Sequence, residues 1–178
     1  MTVERSCGNC SLCCKLPMIE VLSKPADTWC KHCKPGLNGC TIYDNRPEIC
    51  AQFQCEWVKG NVDDIWKPTS AKMVLHVSEA SQNGFMFFNV MVDGGSPGRW
   101  REAEYYTRLK HMALLGTKHK VLVRVQVGKK SWIILPQGDV EVPSNAKGFD
   151  IRQNALGLWN LVFFTGEKTD DDRVPQTG

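Results

Sequence analysis

All nine cysteines of this 178-residue chain lie between Cys7 and Cys55, and none follows. They stand at two- and three-residue spacings among Gly, Asn, Ser and Lys, a pattern with three possible uses. It can form disulfides, ligate metal or a cluster, or bury small apolar groups. Disulfides need an oxidising compartment, and the start Met1-Thr2-Val3-Glu4-Arg5-Ser6-Cys7 has no apolar run of the kind that directs export. An odd count would also leave one thiol over. Inert burial suits isolated cysteines, not nine in a polar stretch. The pattern points to metal, in a chain expected to be cytoplasmic.

Energetics lead the same way. Residues 1–60 hold few large aliphatic side chains and many turn formers, so they can bury little apolar area. A segment of that size usually needs a staple. Structural zinc supplies on the order of 10 kcal/mol of folding free energy. Without metal, this part of the chain is expected to be poorly ordered.

The spacing allows two ions. Cys7-x2-Cys10 and Cys30-x2-Cys33 are separated by 19 residues, an interval common in zinc sites. Cys13, Cys14, Cys40, Cys50 and Cys55 then suffice for a second tetrahedral site with one thiol to spare. Cys7-x2-Cys10-x2-Cys13 also matches the first three positions of a bacterial ferredoxin run, so a [4Fe-4S] cluster completed by a distant cysteine stays open. The adjacent side chains of Cys13 and Cys14 are expected to diverge and serve different sites.

Cys7-Gly8-Asn9-Cys10-Ser11-Leu12-Cys13-Cys14 resembles the CxxCxxCC signature of the YkgJ family, described as a zinc- or iron-chelating domain. The run from Cys40-Thr41-Ile42-Tyr43-Asp44 through Asn45-Arg46-Pro47-Glu48-Ile49-Cys50, followed by Phe53 and Cys55, is similar to the second half of that family's pattern. Lys24-Pro25-Ala26-Asp27-Thr28-Trp29-Cys30-Lys31-His32-Cys33 is similar to one branch of it, with Cys30 as a branch feature. The resemblance covers about residues 7–60 and implies all nine cysteines as metal ligands. A flagellin lysine methylase with a similar cysteine pattern carries an iron–sulfur cluster, but its chain is much longer. The resemblance keeps both metals in view and transfers no activity.

Other residues of the stretch have readable jobs. Ile42 and Tyr43 are expected to form a small lid over the site. Arg46 would either hydrogen-bond a thiolate or carbonyl or pair with a surface carboxylate. Pro47 suits the first turn of a short helix capped by Asp44 or Asn45, carrying Cys50, Phe53 and Trp57. His32 stands between two cysteines, where solvation is the ordinary outcome and ligation the alternative.

After Cys55 the sequence becomes that of an ordinary α+β domain. Strands are expected at 72–77 and 85–92, joined by the turn-like Ser81-Gln82-Asn83-Gly84. The loop Asp93-Gly94-Gly95-Ser96-Pro97-Gly98 matches no phosphate-binding fingerprint and reads as a turn. A helix from about Arg99 to Leu115 would bury Trp100, Ala103, Tyr106, Leu109, Met112 and Ala113, with Gly116 ending it. Val121–Val127 and Trp132–Leu135 read as a hairpin through Gly128-Lys129-Lys130. Strands near 140–142 and 158–164 would complete a mostly antiparallel sheet. His76, His111 and His119 read as core, surface or capping residues. Lys118-His119-Lys120 and Lys129-Lys130 would gather charge at one end of the hairpin, as a basic face or as protection of a sheet edge.

The expected fold is α+β: a small cysteine-rich, metal-stabilised module (1–62) packed on a mostly antiparallel β-sheet domain with one main helix (63–168), then a flexible tail (169–178). A net charge of +3 is too weak to suggest nucleic acid. No apolar run is long enough to span a bilayer. The leading reading is a metal-binding protein that holds one or two Zn2+ ions in a structural or metal-handling role. The alternative is a [4Fe-4S] protein with redox or protein-modifying activity. No catalytic constellation is evident, and a protein partner is possible.

Overall fold

The computed structural model describes residues 5–36, 39–79 and 84–166. The proposed tail, 169–178, and turn residues 81–83 lie outside the described residues. The architecture is α+β, with a cysteine-rich N-terminal region, a mixed and mostly antiparallel sheet, and one main helix.

The cysteine-rich region is built from turns. Short 3-10 turns at Leu12–Cys14, Glu20–Leu22 and Tyr43–Asn45 accompany a two-residue ladder of β1 (Cys33–Lys34) with β2 (Gly39–Cys40) and one short helix, α1 (Glu48–Gln52). Pro47 is the N-cap of α1 rather than part of its first turn, and no side chain caps it. Asp44 and Asn45 belong to the separate preceding turn, because Arg46 and Pro47 are extended. Phe53 and Trp57 therefore fall outside the helix expected to carry them.

The sheet follows α2 (Pro68–Ala71). Its strands are β3 (Met73–Glu79), β4 (Met86–Val92), β5 (Val121–Val127), β6 (Lys130–Leu135) and β7 (Gly138–Glu141), in the order β3-β4-β5-β6-β7. Between β4 and β5 the chain crosses over through α3 (Ala103–Gly116), and that pair is parallel, as a helical crossover requires. The other three pairings are antiparallel. β8 (Gly148–Gln153) and β9 (Trp159–Phe164) form a separate hairpin, so the strand expected near 158–164 does not join the main sheet. The sequence reading missed β8 because only Phe149 and Ile151 alternate within it.

Alternation along the strands divides the sheet into two faces. Met73, Leu75, Val90, Val92, Val123, Val125 and Ile134 pack with Trp66, Trp100, Tyr105, Leu109 and Ala113 in the main core. The buried helix stripe is Tyr105, Leu109 and Ala113, with Tyr106 and Met112 packed partly buried against the same core and Trp100 within it, whereas Ala103 is exposed. The opposite face has two covers. Val74 packs with Leu12, Leu16, Cys55 and Trp57 of the cysteine module. Leu122, Ile133 and Leu135 pack under β8 and β9 with Phe149, Ile151, Trp159, Leu161 and Phe163.

Gly116 does not end α3 by a left-handed turn. The chain continues through a 3-10 turn at Thr117–His119, and Lys120, at φ +56°, breaks it. The glycine is required for closeness instead, since a Cβ there would stand 2.6 Å from Val121 O. The two lysine groups lie at opposite ends of β5, about 20 Å apart at the usual rise per residue. They form neither one basic face nor edge protection, because β5 and β6 are interior strands.

Polar latches fasten the module to the sheet. Lys15 Nζ lies 2.5 Å from Asp93 Oδ1 and 3.2 Å from Asp27 Oδ1, with all three side chains at most 20% exposed. Asp27 Oδ1 also accepts from Gly94 N–H at 3.3 Å. Arg5 donates to Trp57 O and Val62 O and pairs with Asp64 at 2.9 Å. Glu56 N–H donates to Leu75 O at 2.9 Å.

Gly116→Ala should destabilise the fold by about 1–3 kcal/mol through overpacking. Helix propensity alone would predict a gain of about 1 kcal/mol, so urea denaturation decides by the sign. For Asp93, burial raises the carboxyl pKa, but hydrogen bonds from Lys15 and Gly95 and the charge of Lys15 outweigh it and leave it lowered. A lowered folded pKa gives stability that is present above the unfolded value and lost as pH falls through the folded value. Asp93→Asn should therefore lower Tm most at neutral pH, with the difference from wild type shrinking as the pH is taken below 4.

Candidate metal centre and adjoining chamber

The local fold explains why the cysteines gather. Cys10 N–H donates to Cys7 O, and Cys33 N–H donates to Cys30 O, both at 2.9 Å, so each CxxC is a closed turn. Gly8, at φ +48°, makes the first turn possible, since glycine takes left-handed backbone without a Cβ clash. Cys30 N–H donates to Cys14 O at 3.0 Å, bringing the second pair beside the CxxCxxCC segment. The β1–β2 ladder sets Cys33 opposite Cys40. All nine are free thiols, with Cys30 and Cys55 buried and Cys7 exposed.

Cys14 is the hub. Its charge acts to raise the pKa of Cys7, Cys10, Cys33 and Cys50. The 3-10 turn at Leu12–Cys14 carries Cys13 and Cys14 to the wall of one cavity, described below. The Cys13 contact and burial drive the Cys14 pKa far up. Burial, then the charge and hydrogen bond of Cys14, push the Cys33 thiol up to about 11, although Ser11 opposes with a hydrogen bond.

Around this hub the thiols act on one another's ionisation. Cys7 and Cys10 are each raised first by burial and also by Cys55 and Cys14. Cys50 is raised first by burial and then by Cys14, Cys30 and Cys40. Cys55 and Cys14 thus both act on the Cys7-x2-Cys10 pair. Among the described residues, no three His, Cys, Asp or Glu side chains are drawn tightly enough together to be a ready-made ligand set.

Two cations attend the sulfurs. Lys24 is 5% exposed, and its Nζ donates to Lys15 O at 2.7 Å and to Pro25 O and Thr28 O at 3.0 Å each. Burial lowers its pKa, while Cys30, Cys14 and Cys50 oppose that shift. Arg46 stacks its guanidinium 3.8 Å from the centre of the Tyr43 ring. A hydrogen bond with Tyr43 raises its pKa, with the charges at Cys40 and Cys50 assisting. His32 is held through its carbonyl, which accepts from Thr41 N–H at 2.8 Å and Thr41 Oγ1 at 3.1 Å.

The thiols border a cavity of about 700 Å³ between the module and the sheet, lined by Cys7, Cys10, Cys13, Cys14, Cys30, Cys40 and Cys50. Ile42, Tyr43 and Arg46 also line it. Its far wall is polar. His76, Asn89 and Arg124 stand in register across β3, β4 and β5 and face it. Arg124 Nε donates to Asn89 Oδ1 at 2.8 Å, and Asn89 Nδ2 donates to Ser78 Oγ at 2.7 Å. His76 leans on Phe53 with ring centres 5.0 Å apart, and its Nδ1 is buried without a hydrogen-bond partner. Burial lowers the His76 pKa, chiefly by desolvating its charged form.

Sequence reasoning did not single out Lys24, Asn89 or Arg124, and it read His76 as a bystander. A signal was present, since one polar residue interrupts the middle of each of three apolar strands.

No protein-family model, curated protein or solved structure matches this chain.

Lys24→Met would remove a donor from three carbonyls, of which Lys15 O keeps a bond from Thr28 N–H. The expected loss is about 1–3 kcal/mol, read as a lowered midpoint in urea denaturation.

Proposed function

We propose that the chain is a metal-binding protein whose N-terminal cysteines chelate zinc or iron in a structural or metal-handling role. One observation carries the reading: seven cysteines from four separated stretches of chain line one chamber around the hub at Cys14. The donor set is soft thiolate, which suits zinc and iron–sulfur clusters. Four of Cys13, Cys14, Cys30, Cys33, Cys40 and Cys50 would hold one ion, and Cys7, Cys10 and Cys55 would serve a second with a shared or exogenous ligand. Tightening into tetrahedral geometry would accompany binding, with the thiol protons leaving as metal enters. Zinc is the first choice, as a tetrahedral thiolate binder that needs no cluster assembly.

The run Cys7-x2-Cys10-x2-Cys13, with all three residues on the chamber wall, favours one second reading. Three cysteines beside an open chamber suit a [4Fe-4S] cluster with redox or protein-modifying activity. The CxxCxxCC signature aligns the module with the YkgJ family under either reading, and a cytoplasmic setting would keep the thiols reduced. No helix among the described residues is long and apolar enough to cross a membrane.

Metal analysis with a visible spectrum, on protein purified without oxygen, tests this. One or two zinc ions per chain in a colourless protein are expected, with both the metal content and Tm falling after chelation. Cys14→Ser should lose more metal than Cys7→Ser, because Cys14 joins the two groups. Iron with acid-labile sulfide would transfer the assignment to a cluster. A folded chain holding neither metal, and unable to take either up, would refute both readings.

A further inference from the structure

The polar wall opposite the cysteines calls for its own account. β3, β4 and β5 are mostly apolar, yet His76, Asn89 and Arg124 occupy one row across their middle. In the middle of a sheet face such residues are costly unless they are paired. Asn89 is paired, since its amide donates to Ser78 Oγ and to the carbonyls of His76 and Phe87. Its Oδ1 holds Arg124 Nε, while the Phe87 ring lies 4.4 Å from the guanidinium carbon. The row thus fixes the guanidinium on two sides. Its two terminal amino groups have no hydrogen-bond partner among the described residues, and no carboxylate there forms an ion pair with Arg124.

A positioned guanidinium with its terminal fork unused, on the wall of a cavity of about 700 Å³, is a receptor for a planar oxyanion. Lys24 and Arg46 stand on the thiol side of the cavity, whereas Arg124 stands on the sheet wall. One fixed cation suits a monoanion better than a phosphate dianion. Leu16, Ile19, Ile42, Phe53 and Met91 line the same cavity and suit an apolar body. A volume of this size is typical of sites for small organic ligands. We infer that the chamber binds a small monocarboxylate with an apolar body, whose carboxylate pairs with Arg124 in the row His76–Asn89–Arg124. This site stands on sheet residues and goes beyond the metal reading.

The test uses the full chain as purified, with zinc and iron counted in the same samples so that the two proposals are judged separately. Sodium octanoate, sodium benzoate and inorganic phosphate serve as probes in calorimetric titration at constant ionic strength. Saturable one-to-one binding of octanoate or benzoate is expected, tighter than that of phosphate. Arg124→Met, a near match in length, should weaken it at least tenfold with metal content unchanged. In wild type, the Arg124 Nε–H resonance should shift and saturate along the same isotherm, which needs no variant to fold. Equal affinity in Arg124→Met, an unmoved resonance, or tighter binding of phosphate would overturn the site. So would absent carboxylate binding together with loss of metal in Arg124→Met, which would assign the guanidinium to the charge of the sulfur centre.

Discussion

Residues 5–60 cannot close a core of their own, and the arrangement of the molecule follows from that shortage. Their buried apolar side chains are few: Leu12, Leu16, Ile19, Cys30, Cys55 and Trp57. The cluster they build is completed by Val74 of the sheet. The remaining fastening is polar: Lys15 between Asp27 and Asp93, Arg5 over the carbonyls of Trp57 and Val62, and one backbone bond to Leu75. The module is thus a shell of turns leaning on a rigid support. That is the situation in which thiolate–metal bonds would add most, because no alternative interior competes with them.

The support is a sheet with unequal faces. One face is continuous core beneath α3, closely enough packed that Gly116 has no room for a methyl group. The other is shared by the module over β3 and the β8–β9 hairpin over β5 and β6. Neither cover reaches across the middle, and there the sheet carries Ser78, His76, Asn89 and Arg124 instead of Val or Ile. The chamber therefore results from dividing one face between two small covers. Its polar lining is what allows that gap to be wet or occupied.

Much of this was legible in the sequence. The strand and helix periods of β3, β4, α3, β5 and β6 are strong because each buries a full stripe or face. The closed CxxC turns are local as well, set by the two-residue spacing and Gly8. The failures are long-range. Nothing in Trp159–Phe164 says that its partner is Gly148–Gln153 rather than the main sheet, because pairing depends on which edge is already covered. The approach of Cys30 to Cys14 depends on how the segment around Lys24 wraps, with Ser23 and Asp27 both at positive φ. Sequence intervals carry no record of that wrap. The polar row was visible as three isolated residues, but only the register of β3, β4 and β5 makes them neighbours.

The placement of positive charge ties the two walls of the chamber together. Four thiolates around a dication leave two negative charges in a partly buried place, where burial first and neighbouring thiols second raise the pKa of Cys33 and Cys50. Lys24 and Arg46 supply two positive charges, one buried among carbonyls and one spread over an aromatic ring. Under the metal reading the sulfur wall is then close to neutral. Arg124 remains outside that balance, on strand β5, and its pKa is lowered by burial alone. A guanidinium does not escape the cost by deprotonating, since its ordinary pKa lies above 12. An anion entering the chamber offsets that cost, which is the physical reason for placing a carboxylate against β5 while the metal stays with the thiols.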